Sequence, residues 1–415
     1  MIDQRMPAFA GHNQRSVRQS NRAMIFRALH ALGPIARVDL ARQSGLTPGT
    51  VTHIVDELLR SGLVEEIEAP QVATGGRRRV GRRPVQLRVC ADARFAIGID
   101  LARTTVTGAI VNLAGKVLRR VEEPTRALIR DEAIDQVVRI ARSLLDELSE
   151  EERRKVVGAG VGAPGALSVR TGRFRPPPSY GSWEEIDLRQ EIERAVEIPT
   201  MIDNNANTAA LGELWFGAGA GLQNFVLLNL GTGVGAGLVL DGDLYRGEHD
   251  LAAEIGHVSI AMDGPRCACG NSGCLEMYVS MPRVLAAARA ALESGEPSVI
   301  RDAMALVGGQ LTLPMLLEAA EAEDALALRV LNDVARFLAA GIVNIINTLD
   351  PQVVLIGREL AAAGETLLVP VREEVRRRVL PVLRPTVRIE VARLTDAPVV
   401  GAGVLALREF FEAPV

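Results

Sequence analysis

The sequence predicts an α/β protein with a winged helix-turn-helix at its N-terminus, on three observations. Residues 14–62 hold three stretches of helical periodicity separated by glycine-bearing turns, and two short strand patterns follow. From about residue 91 strands alternate with helices, the pattern of an α/β body. Two glycine-bearing strand–turn–strand stretches, "FAIGIDLARTTVTGAIVNLAG" and "FVLLNLGTGVGAGLVLDG", each open one half of that body, which argues for two related lobes. The domain boundaries are placed at 1–90 and 91–415.

Within the head, residues 14–33 carry Val17, Met24, Ile25, Ala28, Leu29 and Leu32 at helical spacing and stop at Gly33-Pro34. "RVDLARQSG" reads as a short helix ending at Gly45. In "LTPGTVTHIVDELLRSG", Thr47 is the N-cap, and Pro48 sits in the first turn, where its missing N–H costs nothing. Val51, Ile54, Val55, Leu58 and Leu59 form the buried stripe of this third helix, and Gly62 closes it. "LVEEIEA" and "PVQLRVC" read as two strands joined by the loop "TGGRRRVGRR", the wing. In the body, residues 131–149 form an amphipathic helix, and "VVGAGVGAPG" is a strand running into a Gly-Pro loop. Residues 326–349 are helical, and "PQVVLIG" is a buried strand.

Composition sets the class. Hydrophobic content of 48% and charged content of 24% are those of a globular domain protein. No apolar run reaches the length of a membrane span and no signal segment opens the chain, so a cytoplasmic location and no membrane partner are expected. Net charge is −4, but residues 1–90 carry +7 and the remainder −11. A basic head on an acidic body argues that the head meets a polyanion. The densest cluster, Arg77, Arg78, Arg79, Arg82 and Arg83, falls in the wing, where arginine suits phosphates and narrow minor grooves. The third helix offers Thr47, Gly49, Thr50, Thr52 and His53 to base edges and thymine methyls, without an arginine to read guanine. Duplex DNA with A·T preference in the minor groove, read as a palindrome, is the expected partner. A winged helix can also serve as a protein-docking module.

Three of the four cysteines lie in "HVSIAMDGPRCACGNSGC". His257, Cys267, Cys269 and Cys274 supply the four soft ligands of a closed, structural zinc shell, and the glycines between them let the loop fold back. With no open position, zinc here stiffens a loop rather than catalyses. Glu254 and Glu276 flank this knot, and ionised carboxylates accept strong hydrogen bonds from polyol hydroxyls.

At these residues a resemblance becomes specific. "EIGHVSI…GPRCACGNSGCLEMYVS" resembles the signature of the ROK family, which contains sugar-responsive repressors and sugar kinases. "GAPG" at 162–165, "DNNANTAALGELWFGAG", "LGTGVGAGLVLDG" and "NTLDPQVVLIG" resemble further segments of that family. The N-terminal helices and "GRRP" resemble its repressor branch. The resemblance implies a two-lobed, actin-like, sugar kinase-like ATPase fold and homo-oligomers, dimers or tetramers. The lobes would span about 91–204 plus the C-terminal helix, and 205–390. It also implies a sugar held by Asn204, Asn205, Glu254, His257 and Glu276, with His257 shared between zinc and ligand.

Departures from the family pattern separate its branches. Family kinases carry Asp-x-Gly-Gly-Thr in the first hairpin; this chain reads Asp100-Leu101-Ala102-Arg103-Thr104. Aligned on Asn207 and Glu213, the position of the kinase base is Asn205, whose amide cannot take up a proton at neutral pH. Losing a general base costs ~10² to 10⁴ in rate. Asp203 could serve only if the loop slid. "GREL" at 357–360 lacks the glycine run beside the nucleotide, and the Gly231-Thr232-Gly233 turn is equally useful for closing a hairpin. The expectation is therefore a transcriptional regulator, a repressor, whose catalytically inactive body binds a sugar or sugar phosphate. The alternatives are an active ATP-dependent sugar kinase with a DNA-binding head, and a constitutive DNA binder without effector.

Overall fold

The computed structural model describes residues 14–68, 85–125, 130–175, 186–306 and 308–412. The head comprises α1 (Gln14–Leu32), α2 (Arg37–Ser44), α3 (Pro48–Arg60), β1 (Val64–Glu68) and β2 (Val85–Val89). Thr47 caps α3 by accepting the Thr50 N–H at 3.2 Å, and Gly45 ends α2 in the left-handed conformation at φ 68. The wing strands pair antiparallel, Val64 opposite Val89, and Leu87 bridges back to Ile35 between α1 and α2.

Leu59, read as part of the buried stripe of α3, is half-buried rather than core. Of the apolar residues at helical spacing in α1, Met24 and Ala28 are half-buried and Leu32 is 48% exposed. Conversely Phe26, absent from the predicted stripe, is fully buried. The reason is that α1 packs both ways within one hydrophobic cluster that runs from the head into the body. One face packs on α2 and α3, and another lies on the body, where Phe26 stacks on Phe411 at 4.1 Å and Trp215 lies 6.3 Å away.

The body contains two five-stranded sheets of the same plan. The first consists of β3 (Phe95–Leu101), β4 (Thr105–Asn112), β5 (Val117–Pro124), β6 (Val156–Ala163) and β10 (Thr200–Asn204). Between β6 and β10 in sequence, three short strands, β7 (Ala166–Leu167), β8 (Arg173–Arg175) and β9 (Ile186–Asp187), form a separate small sheet. The first sheet has the order β10-β6-β3-β4-β5: an antiparallel meander continued by parallel strands. Helices α4 (Arg130–Asp146), α5 (Glu150–Arg153) and α6 (Leu188–Val196) accompany it, and α7 (Asn205–Phe216) leaves the end of β10.

The second sheet contains β11 (Phe225–Leu230), β12 (Val234–Leu240), β13 (Asp243–Leu244), β14 (Val353–Gly357) and β15 (Ile389–Val391) in the order β13-β12-β11-β14-β15. Helices α8 (Glu276–Val279), α9 (Met281–Glu293), α10 (Ile300–Leu306), α11 (Leu313–Glu321), α12 (Ala325–Leu349) and α13 (Gly364–Arg378) lie between its strands in sequence. The last helix, α14 (Ala397–Glu412), returns to the first sheet and packs along α7. That contact is backbone-close: a Cβ on Gly401 would sit 1.6 Å from the Thr208 carbonyl oxygen, so only glycine permits it. Among the described residues no helix is long and apolar enough to cross a membrane.

Candidate functional site

A cavity of about 160 Å³ opens between the two sheets. The first lobe contributes the β3–β4 turn (Ala102, Arg103, Thr104), Pro164-Gly165 and Asn204-Asn205. The second contributes the 231–233 turn, Glu254, His257, Glu276, Arg358 and Glu359. All five residues read from the sequence as sugar ligands therefore line one cleft.

The loop from 254 to 276 builds one wall. Ser259 bridges to Cys274 and Arg266 to Ser272, a narrow antiparallel ribbon that brings distant cysteines together. His257 Nδ1 lies 3.7 Å from Cys267 Sγ, and Cys269 Sγ lies 3.7 Å from Cys274 Sγ. All four ligand atoms fall within 4.8 Å of one another. A tetrahedron with metal–sulfur arms of about 2.3 Å has edges of roughly 3.8 Å, so the donor set fits a four-coordinate ion. Without a cation, burial and then the neighbouring thiols push the Cys274 thiol up to about 12, whereas a backbone hydrogen bond at Asn271 draws the Cys269 thiol down. A bound metal stabilises thiolates and removes that penalty.

Glu276 lies two residues beyond the last thiol, Cys274. Its Oε2 accepts the Val234 N–H at 2.8 Å and so ties the metal loop to the glycine turn closing the β11–β12 hairpin. Glu254 opens to the cleft. Partial burial pushes its carboxyl upward, His257 pulls it down, and the neighbouring Glu276 adds to the upward push.

On the opposite wall, Asn204 caps α7: its Oδ1 accepts the Ala206 N–H at 2.8 Å, and its Nδ2 donates to the Gly165 carbonyl at 3.0 Å. The amide thus fixes both the helix start and the Gly-Pro loop. Asn205 follows, within reach of the Asp100 carboxylate. Asp203 is fully committed. Oδ1 accepts from the Asn204 N–H and Asn207 Nδ2, and Oδ2 accepts from Arg246 Nε and Nη2 at 2.9 and 2.7 Å. A loop slide that freed Asp203 would break a buried ion pair, which typically costs about 3–5 kcal/mol.

In the head, Thr47, Gly49, Thr52 and His53 are exposed at the start of α3, and Thr50 is half-buried. The threonine hydroxyls are partly engaged: Thr47 Oγ1 meets Thr50 Oγ1 at 2.9 Å, and Thr52 donates to the Pro48 carbonyl at 2.8 Å. His53 stands 3.2 Å from Glu57, which also pairs with Arg18. Arg77, Arg78, Arg79, Arg82 and Arg83 lie outside the described residues.

Sequence reasoning missed three arrangements that need distant partners. Arg246 holds Asp203. Arg358 reaches Asp100 in the other lobe, Nη2 to Oδ2 at 2.7 Å. Arg22 and Arg27 of α1 donate to the carbonyls of Phe410 and Gly242, each at 2.8 Å, and anchor the head on the body. The only signal was negative for Arg358, an absent glycine; periodicity held nothing for the others.

Fold and site together define a winged helix-turn-helix joined to a two-lobed, sugar kinase-like body. The ROK family model matches residues 96–409, a MarR family model matches residues 20–71, and the chain belongs to the ROK family. It is 28% identical over 408 residues to the xylose repressor of Caldicellulosiruptor bescii, covering 97% of this chain and 99% of that protein. The crystal structure of a ROK family transcriptional regulator, a homologue of the Escherichia coli Mlc protein, superposes with a TM-score of 0.77. Identity is 27%, and 96% of this chain and 98% of that one are covered. A ROK family glucokinase from Streptomyces griseus, in complex with glucose and AMPPNP, superposes at 0.69. There identity is 28%, with 76% of this chain and 99% of that one covered.

Proposed function

We propose that the protein is a DNA-binding transcriptional repressor whose operator affinity is set by a sugar or sugar phosphate held between the lobes. One observation carries this reading: the two carboxylates, the histidine and the asparagines gather in one cleft, and α7 runs from that cleft to the seat of the head. In this reading Asn204, Asn205, Glu254, His257 and Glu276 hold hydroxyls. Zinc, the tetrahedral thiolate- and imidazole-seeking ion, is held by His257, Cys267, Cys269 and Cys274 and stiffens the wall they share. Zinc supplies rigidity and thiolate charge balance, not a reaction step. Similarity to a named xylose repressor supports the regulatory role.

Thr47, Gly49, Thr50, Thr52 and His53 meet the major groove, and the wing arginines Arg77, Arg78, Arg79, Arg82 and Arg83 meet phosphates or the minor groove. A palindromic operator pairs with a homodimer or homotetramer.

Kinase activity is not part of this reading. The amide of Asn205 stands where a base would be needed, and both oxygens of Asp203 are taken. Similarity to a glucokinase makes the kinase alternative worth one assay: incubation with a sugar panel and Mg·ATP should release no ADP at enzyme rates. The decisive experiment is a thermal-shift screen with hexoses, pentoses and their phosphates, followed by operator binding with and without the hit. A stabilising sugar that also changes operator affinity is expected. No stabilisation by any sugar would favour the constitutive binder instead.

A further inference from the structure

Arg358 holds a backbone that belongs to glycine. Its φ of 67 and ψ of −163 lie in a region side-chain-bearing residues adopt only under strain, and such strain persists where the surroundings enforce it. What enforces it here spans the cleft. Arg358 follows β14 of the second sheet, and its guanidinium reaches Asp100 at the end of β3 in the first, Nη2 to Oδ2 at 2.7 Å. Asp100 is 4% exposed, and its Oδ1 has no hydrogen-bond partner. The next residue, Glu359, turns its carboxylate onto the glycine turn: a Cβ on Gly231 would lie 2.1 Å from Glu359 Oε2.

These groups occupy the half of the cleft built from Arg103, Thr104 and the 231–233 turn. Glycine amides and a cation are the chemistry of polyphosphate binding. The glucokinase on this fold carries AMPPNP together with glucose. A triphosphate entering here would draw Arg358 off Asp100, strand a buried carboxylate, and meet the Glu359 carboxylate beside the turn. Like charges so juxtaposed oppose binding.

We infer that Arg358, anchored on Asp100, stands in for the nucleotide: it bridges the two lobes from within, excludes polyphosphate, and leaves the cleft a single-ligand site. That last clause rests on the sugar reading; exclusion of nucleotide does not.

The test uses Mg·AMPPNP alone, so it is independent of which sugar binds. Full-length A102G/R103G is compared with A102G/R103G/R358G by isothermal titration, with zinc content and circular dichroism as checks of folding. Opening the first turn alone is expected to leave nucleotide binding undetected or weak. Adding R358G, which also relieves the strained backbone, should tighten it on the order of tenfold or more. A102G/R103G/R358A is the second comparison: it removes the guanidinium while keeping a side chain on the strained turn, and it should also gain nucleotide. Equal behaviour of the parent and both Arg358 variants, whether all bind or none does, overturns the inference.

Discussion

At Glu276 one carboxylate faces two demands: an oxygen accepts the Val234 amide, and the group lines the cleft two residues beyond Cys274. Glu276→Gln keeps an acceptor for Val234 but removes the charge. Hydrogen bonds to charged groups contribute about 1.5–3 kcal/mol, so sugar affinity should fall roughly 10- to 100-fold with zinc content unchanged. Cys274→Ser should behave differently. Losing one thiolate of a closed shell should lower zinc occupancy, lower the melting temperature and weaken sugar binding together, as metal analysis and thermal-shift titration would reveal. A Cys274→Ser protein with full zinc and full sugar affinity would separate the knot from the pocket.

Among the elements, α7 has an unusual position. Its N-terminus, Asn204 and Asn205, is in the cleft; its C-terminus, Trp215 and Phe216, lies under α1. Helix α14 runs beside it at glycine-only distance and carries Phe411, on which Phe26 stacks, in its last turn. A helix transmits displacement along its axis because its hydrogen-bonded backbone does not compress easily. Phe26→Ala removes the aromatic through which the buried cluster of the head continues into the body. It should cost about 3–5 kcal/mol in the stability of the docked head. Sugar binding should survive, but the sugar-dependent change in operator affinity should shrink. Thermal shift read alongside operator titration checks this, and an unaltered response would show that the signal takes another path.

For the whole molecule, charge is divided by domain: +7 in residues 1–90, −11 in the rest. The acidic body repels duplex and leaves the head as the surface that meets it. If a dimer neutralises six or more phosphates, raising salt from about 50 to 200 mM should weaken operator binding ~10³-fold or more. A shallow salt slope, measured by fluorescence anisotropy, would mean that base contacts from α3 dominate over phosphate contacts.

What the sequence determined by itself is what short-range chemistry dictates. Thr47-Pro48 and Gly45 mark helix ends because caps and left-handed turns are local demands. The His257-to-Cys274 spacing announced a metal knot because four soft ligands in 18 residues have little other use, and their convergence within 4.8 Å follows that pattern. The alternation of strands and helices indicated an α/β body, and the two glycine-bearing hairpins indicated two lobes, because periodicity and turn chemistry are also local. Tertiary structure alone decided which residues meet across long separations. Phe26 was overlooked because its partner is 385 residues away, and the exposure of Leu32 was not legible because a helix packed on both head and body has no single apolar stripe. Arg358 in sequence was merely a missing glycine. Only the fold set it opposite Asp100, since chain closure brings together groups whose spacing along the chain carries no signature.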